Sequence, residues 1–285
     1  MTRSLLTLAC LLALGGCAVV VVPSEGDYYS YSGGSQTVGD GQRRIENRTV
    51  GAAEQVEISG SIIADVRQGN TVSLEVEADS NLLPLLHTEV SNGTLKVWME
   101  GSVKTSNGLR VRYTTPQVNK LVLSGSGRIN AMGLNADKLS AVCNGSGTIQ
   151  LAGLATVLDA RSNGSGSIEA NTLQTSRVKA SLNGSGNLVL GQLQGDSLEA
   201  DIRGSGNLRA AGTVRHVNAS VYGSGNANMG GLSAESADLS TYGSGDVTVA
   251  VSRTVSARSV GSGDITIYGN PSQRDISGRN VRIKG

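Results

Sequence analysis

The sequence predicts an all-β fold, a parallel β-helix (β-solenoid) of about 20 residues per coil with an irregular N-terminal section. Three observations carry this expectation. Gly-Ser-Gly recurs eight times, starting at Gly125, Gly145, Gly164, Gly184, Gly204, Gly223, Gly243 and Gly261, at spacings of 18 to 20 residues. Apolar residues stand at fixed offsets on both sides of every motif. No segment is long and apolar enough at helical spacing to place a helix in each repeat.

The chain opens with an address label. Arg3 supplies a short positive region, and Leu5 to Leu14 is an apolar run of signal-peptide length. It falls short of the ~20 residues of a membrane-spanning helix. Leu14-Gly15-Gly16-Cys17 resembles a bacterial lipobox, so residues 1–17 are expected to be a signal peptide with Cys17 as the lipidated residue. The alternative is a plain secretory signal. Ala18 follows Cys17 with no Asp retention signal, which by resemblance to Gram-negative lipoproteins points to the outer membrane. Residues 18–44 are polar and Gly/Ser-rich, and read as a flexible linker. Tyr28, Tyr29 and Tyr31 within it could stack on sugars, but a solubilised tether explains them as well.

Residues 45–118 carry strand-like alternation at Val56–Ile58, Val72–Val76, Leu95–Met99 and Leu109–Tyr113. Turn signals separate these runs, and Asn92-Gly93 suits a tight hairpin. Ile58-Ser59-Gly60-Ser61-Ile62 is a degenerate copy of the later motif. The section is therefore expected to form wider, less regular coils of the same solenoid, as capping repeats do; a separate small β-domain is the alternative.

Residues 119–285 are the regular coils. Four residues before each motif stand Leu121, Ala141, Ala160, Ala180, Ala200, Ala219, Leu239 and Ala257. Two before it stand Leu123, Cys143, Ser162, Leu182, Ile202, Val221, Thr241 and Ser259. Apolar residues recur four and six positions after it, from Ile129 and Ala131 to Ile265 and Ile267. Each pair is two apart, so each coil should hold two strands with alternate side chains inward. Right-handed winding is expected of parallel crossovers.

The motif itself reads as the corner between those strands. Its glycines allow positive φ and close approach of neighbouring coils. Its serines, Ser126, Ser146, Ser165, Ser185, Ser205, Ser224, Ser244 and Ser262, are expected to stack as structural turn repeats. Asn187, Asn207, Asn226, Asp246 and Asp264 follow and are expected to form an Asn/Asp ladder at the turn, and Asp159, Lys179 and Glu199 share an outer column of alternating charge. Ile276 and Val281-Arg282-Ile283 are expected to form a final rung.

Composition fits a narrow interior. There are 39 glycines, one Trp and no Phe among 285 residues, so Val, Leu, Ile and Ala must fill the core. Net charge is +1, which gives no global attraction to nucleic acid or an anionic membrane. Of three cysteines, two lie in the leader, which excludes a disulfide framework in the folded part. Cys143 takes an inward position and reads as a buried, inert thiol.

These residues and motifs together resemble a bacterial family, the putative auto-transporter adhesin, head GIN domain family. The resemblance spans about residues 45–285. It rests on the leader, on Ile58-Ser59-Gly60-Ser61, on Leu121-Val122-Leu123-Ser124-Gly125-Ser126-Gly127, on the repeated coils, and on the late Gly269-Asn270-Pro271. It implies a β-solenoid carried on the cell envelope, and no catalytic motif comes with it.

Chemistry is sparse. His87 and His216 lie in different coils, and no group at metal spacing occurs. The eightfold serine lacks the spacing of a nucleophile elbow, and no Lys follows the glycines as in a phosphate loop. Asn144-Gly145-Ser146 and its two copies match a glycosylation sequon but read as turn residues. Asp246 and Asp264, with Arg258 nearby, could hold a cation; solvated turn acids are the simpler account. The expectation is a non-enzymatic, lipid-anchored envelope protein without cofactor. It would bind the membrane through its anchor and adhere to glycan or surface protein. A carbohydrate-active β-helix enzyme is the alternative, and end-to-end assembly a third reading.

Overall fold

The computed structural model describes residues 36–285, and Cys17 and the rest of the leader lie outside them. The described residues form one compact unit. The strands are β1 (Thr37–Val38), β2 (Arg43–Arg48), β3 (Gln55–Ser59), β4 (Ile63–Gln68), β5 (Ser73–Asp79), β6 (Leu86–Ser91), β7 (Thr94–Met99), β8 (Val103–Lys104) and β9 (Arg110–Thr115). The regular part continues with β10 (Lys120–Gly125), β11 (Arg128–Gly145), β12 (Thr148–Gly164), β13 (Ser167–Gly184), β14 (Asn187–Gly204), β15 (Asn207–Gly223), β16 (Asn226–Gly243) and β17 (Val247–Gly261). The chain closes with β18 (Ile265–Tyr268), β19 (Gln273–Ser277) and β20 (Val281–Lys284).

From β10 to β18 every neighbour pairing is parallel and joins one coil to the next. The fold is a β-solenoid. Each of the four inward columns read from the sequence is buried throughout, from Leu121 and Leu123 to Ile265 and Ile267. Alternation with period two therefore points the apolar set inward on both sides of the Gly-Ser-Gly corner.

A third inward run completes each coil. It consists of Leu134, Ala155, Leu173, Leu193, Val214, Leu232 and Val251 in successive coils, all buried. Two-strand coils were too simple an expectation. The third run escapes periodicity because the register slips before it in most coils, as between Ala131 and Leu134 and between Leu190 and Leu193. A further buried column, Leu139, Leu158, Val178, Leu198 and Val217, extends the strand before the motif.

The corner is built by backbone contact. Gly145 has φ +130°, and an added Cβ would stand 2.6 Å from the carbonyl oxygen of Gly125. A side chain there would need both a disfavoured φ and a wider coil spacing. The serine N–H carries the ladder across the corner: Ser146 N–H donates to Gly125 O at 3.0 Å, and Ser165 N–H to Gly145 O at 2.9 Å.

Residues 36–118 depart from the expectation of wider coils. β3 and β4 form a regular rung, parallel to β10 and β11 on one side and to β7 and β9 on the other. Beyond it the chain doubles back. β6 pairs antiparallel with β7, β5 with β9, and β2 with β5. Asn92 and Gly93, both at positive φ, make the expected β6–β7 turn. Antiparallel strands end the stack, and β2 presents Arg43, Arg44, Glu46 and Arg48 at its edge. Charged edge strands resist further pairing.

The expected linker also ends sooner than residue 44. β1 pairs with β8, and β2 begins at Arg43. The reason is a buried carboxylate: Asp79 is fully buried, and Gly39 packs directly against it. Thr105 Oγ1 donates to Asp79 at 2.6 Å, and Asn107 Nδ2 donates to its other oxygen. Asp79 thus gathers the N-terminal segment and the 101–108 loop. Nearby, Glu77 is ion-paired with Arg43 and with Arg112, the latter at 2.8 Å.

At the other end, β19 pairs with β17 and β20 with β18, so Ile276, Val281 and Ile283 do lie on the last rung. Ile276 remains 39% exposed.

Candidate functional site

The outer columns flanking the corner are where side chains act in concert. Immediately after the motif, the expected Asn/Asp ladder is continuous. Asn207 Nδ2 donates to Asn187 Oδ1 at 3.4 Å, and Asn226 Nδ2 to Asn207 Oδ1 at 3.1 Å. The acids continue it through backbone donors: Asp246 N–H to Asn226 Oδ1 at 3.0 Å and Asp264 N–H to Asp246 Oδ1 at 2.8 Å. Asp264 meets Arg282 at 3.4 Å, while Arg258 lies across the corner beside Ser240. The Asp246 carboxylate is spent on the ladder and that of Asp264 on Arg282, and no group of three or more His, Cys, Asp or Glu that could hold a metal occurs among the described residues.

A second ladder precedes the motif. Asn163 Nδ2 donates to Asn144 Oδ1 at 2.9 Å, and Asn183 Nδ2 to Asn163 Oδ1 at 3.0 Å. The sequon asparagines are thus a stacked amide column. The same column runs on through Arg203, Tyr222 and Tyr242. The two Tyr rings stack at 5.0 Å, with Arg203 5.9 Å from the Tyr222 centroid. A hydrogen bond from Arg203 to Asp201, together with its charge, pushes the Arg203 guanidinium above its ordinary value.

In the other direction the column passes through Ser124 and Ser59. Val97 is the register partner of Ile58, so Trp98 is next in line after Ser59. Trp98 stacks on His87 with centroids 5.3 Å apart. Glu100 holds the imidazole, with Oε2 2.9 Å from His87 Nε2. A groove of about 620 Å³ lies beside Trp98, floored by Ser59, Gly60 and Ser61 and walled by the 101–108 loop. Its origin is geometric. Every later corner is covered by the glycine of the preceding coil, but a Cβ at Gly60 would meet nothing within 4 Å.

The eight motif serines stand at the corners. Hydroxyl contacts along the column occur at its two ends, Ser61 with Ser126 at 3.0 Å and Ser262 with Ser244 at 3.1 Å. Ser146, Ser165, Ser185, Ser205 and Ser224 are tied across the corner through their backbone N–H groups. The charged outer column is joined in part: Lys179 meets Glu199 at 3.1 Å, while Asp159 turns to Arg161 at 2.6 Å.

Cys143 is buried and donates to Gly147 O at 3.4 Å. Burial pushes its thiol up, away from the nucleophilic thiolate. Ser162 and Ser259 make the same corner-bridging bond, to Gly166 O and Gly263 O, each at 2.9 Å. Inward polar residues at this offset are a structural device.

Sequence reasoning missed Trp98 and the Tyr222–Tyr242 pair as one column. The tyrosines could have been found from their shared offset, one residue before the motif. Trp98 could not, because β7 has no motif to align on.

Comparison with known proteins agrees with this architecture. The model of the family described as "Putative auto-transporter adhesin, head GIN domain" matches residues 54–189 and 172–271. A solved structure of a putative adhesin from Parabacteroides merdae shares 21% identity at a TM-score of 0.66, covering 87% of this chain and 98% of that one. A putative adhesin from Parabacteroides distasonis shares 22% at 0.65, covering 88% and 100%. A protein from the same organism, described as a putative lipid binding protein, shares 23% at 0.63, also covering 88% and 100%. No match was found among curated proteins. The chain belongs to the putative auto-transporter adhesin, head GIN domain family.

Proposed function

We propose that this protein is a lipid-anchored adhesin of the bacterial cell envelope that binds glycan or surface protein through an outer face of its solenoid. Cys17 would carry the anchor and hold the protein at the outer membrane. No helix among the described residues is long and apolar enough to cross a membrane.

One observation carries the binding reading. The column before the motif presents stacked amides and aromatic rings along the rod, on a scaffold whose every rung is fixed by backbone pairing. Such a surface is rigid before any partner arrives, which lowers the entropic cost of binding. A hydrolase would instead need convergent carboxylates in a cleft; the Asp246 carboxylate accepts a ladder bond and that of Asp264 pairs with Arg282.

The test has two arms. Protease shaving of intact cells should release fragments of the solenoid, and labelled palmitate should enter the wild-type chain but not Cys17→Ala. Complete protection from protease would remove adhesion to external partners. Labelling that persists in Cys17→Ala would remove the anchor.

A further inference from the structure

We propose that the column from Trp98 to Asn183 is a binding rail for a neutral, extended oligosaccharide, with Trp98 as the platform for one pyranose ring. The inference rests on the adhesin reading and names the ligand class and the site.

Trp98 is the only tryptophan in the chain. β7 lies between β6 and β3, so the two indole faces look onto different neighbours. His87 of β6 covers one face, at 5.3 Å. The other looks toward Ser59 of β3, whose side chain is too short to cover it. The indole therefore offers one open face to the groove above Ser59 and Gly60. An aromatic face held from behind, beside hydroxyls, suits the apolar face of a sugar ring.

The rail continues the site. Beyond Ser59 and Ser124 come Asn144, Asn163 and Asn183, one per rung, so the rail is about 24 Å long at ~4.8 Å per rung. Asn163 uses one N–H toward Asn144 and one oxygen lone pair toward Asn183. An amide has two of each, so one donor and one acceptor remain for the ligand. The result is a repeated donor–acceptor pair facing solvent. Sugar hydroxyls, which both donate and accept, match it. No charged residue stands in the column until Arg203; around Trp98 the charges are of both signs, Lys104 in the groove and Glu57, Glu89 and Lys96 beside it, so no single sign dominates and the amide column favours a neutral ligand.

The groove provides its own probe, since Trp98 is the sole source of tryptophan emission. The full chain in detergent micelles would be titrated with neutral β-1,4-linked glucose, xylose and N-acetylglucosamine oligomers of two to six units, and with a proline-rich decapeptide. A saturable change in emission is expected with at least one sugar series, with affinity rising at least tenfold from dimer to hexamer. Ser59→Leu, which covers the open indole face, should lower hexamer affinity at least tenfold. Asn163→Ala should weaken the hexamer several-fold and leave the dimer unchanged. Should Ser59→Leu fail to fold, Trp98→Phe keeps a smaller platform, and saturation-transfer NMR should find weakened binding. No response to any sugar, or a response to the peptide alone, overturns the proposal. If cells still attach through the protein while Ser59→Leu or Trp98→Phe binds as well as wild type, the rail is wrong and the adhesin reading stands. If deleting the protein leaves attachment unchanged, the adhesin reading falls with it.

Discussion

The two ends of this molecule solve the same problem by different means. In the coils from residue 119 onward, each rung resembles the last, and parallel pairing runs around almost the whole coil. Residues 36–118 close one end of that stack, and no further coil lies beyond them among the described residues. There the chain reverses into antiparallel strands and uses buried charge, with Asp79 and Glu77 tied to partners far away in sequence. The coils gain specificity from repetition; the cap gains it from individual side chains. In a stack where each rung touches only its neighbours, damage in the middle should therefore be costlier than damage at the end.

The sharpest way to break this contrast is to place the same side chain at equivalent corners. A Cβ at Gly164 would stand 2.7 Å from the Gly145 carbonyl oxygen at φ +128°, whereas Gly60, at φ +93°, has open space. Gly164→Ala should cost about 3 kcal/mol, from strain and overpacking together. Gly60→Ala should cost about 1–2 kcal/mol, from strain alone. Urea unfolding of both variants measures the difference, and equal losses would refute close coil contact as the role of the motif.

Leu193 tests the inward run that completes each coil. It is fully buried, so Leu193→Ala should cost about 2–5 kcal/mol, seen as a lower urea midpoint. A loss below about 1 kcal/mol would mean that this side of the coil is not packed as described.

Asp79 tests the cap. Asp79→Ala removes the shared acceptor of Thr105 and Asn107 and should cost about 1–3 kcal/mol. Because the loss is local, limited proteolysis should cut within 100–108 while the coils stay resistant. Simultaneous loss of both regions would show that cap and coils unfold as one.

The smallest effect is expected at the Lys179–Glu199 pair, whose side chains are about half exposed. Lys179→Ala should cost about 0–1 kcal/mol, falling further in high salt. A larger loss in a thermal melt would give surface charge a part in register that backbone pairing and the corner glycines would otherwise hold alone.

Much of the coil was legible in advance because a local rule repeats. Leu123, Ile129 and their counterparts could be placed inward from their distance to a glycine that tolerates positive φ and close approach. The ladder from Asn187 to Asp264 followed from the same alignment. Leu193 was not legible, because register slips before it destroy a constant offset. Trp98 was not legible either. Its place depends on β7 pairing with β3, in a segment that has no motif to align.

By itself, then, the sequence determined the coil: its period, its corner, its inward columns and the ladder after each corner. These follow from side-chain alternation and from glycine, both of which act within a few residues. Only the tertiary structure decided how the stack ends, that β10 lies against β3 rather than against the intervening strands, and that Trp98 falls in line, through Ser59 and Ser124, with the amide column that starts at Asn144. Those depend on pairings between segments tens of residues apart, which are chosen by edge closure and burial of Asp79 and leave no periodic trace.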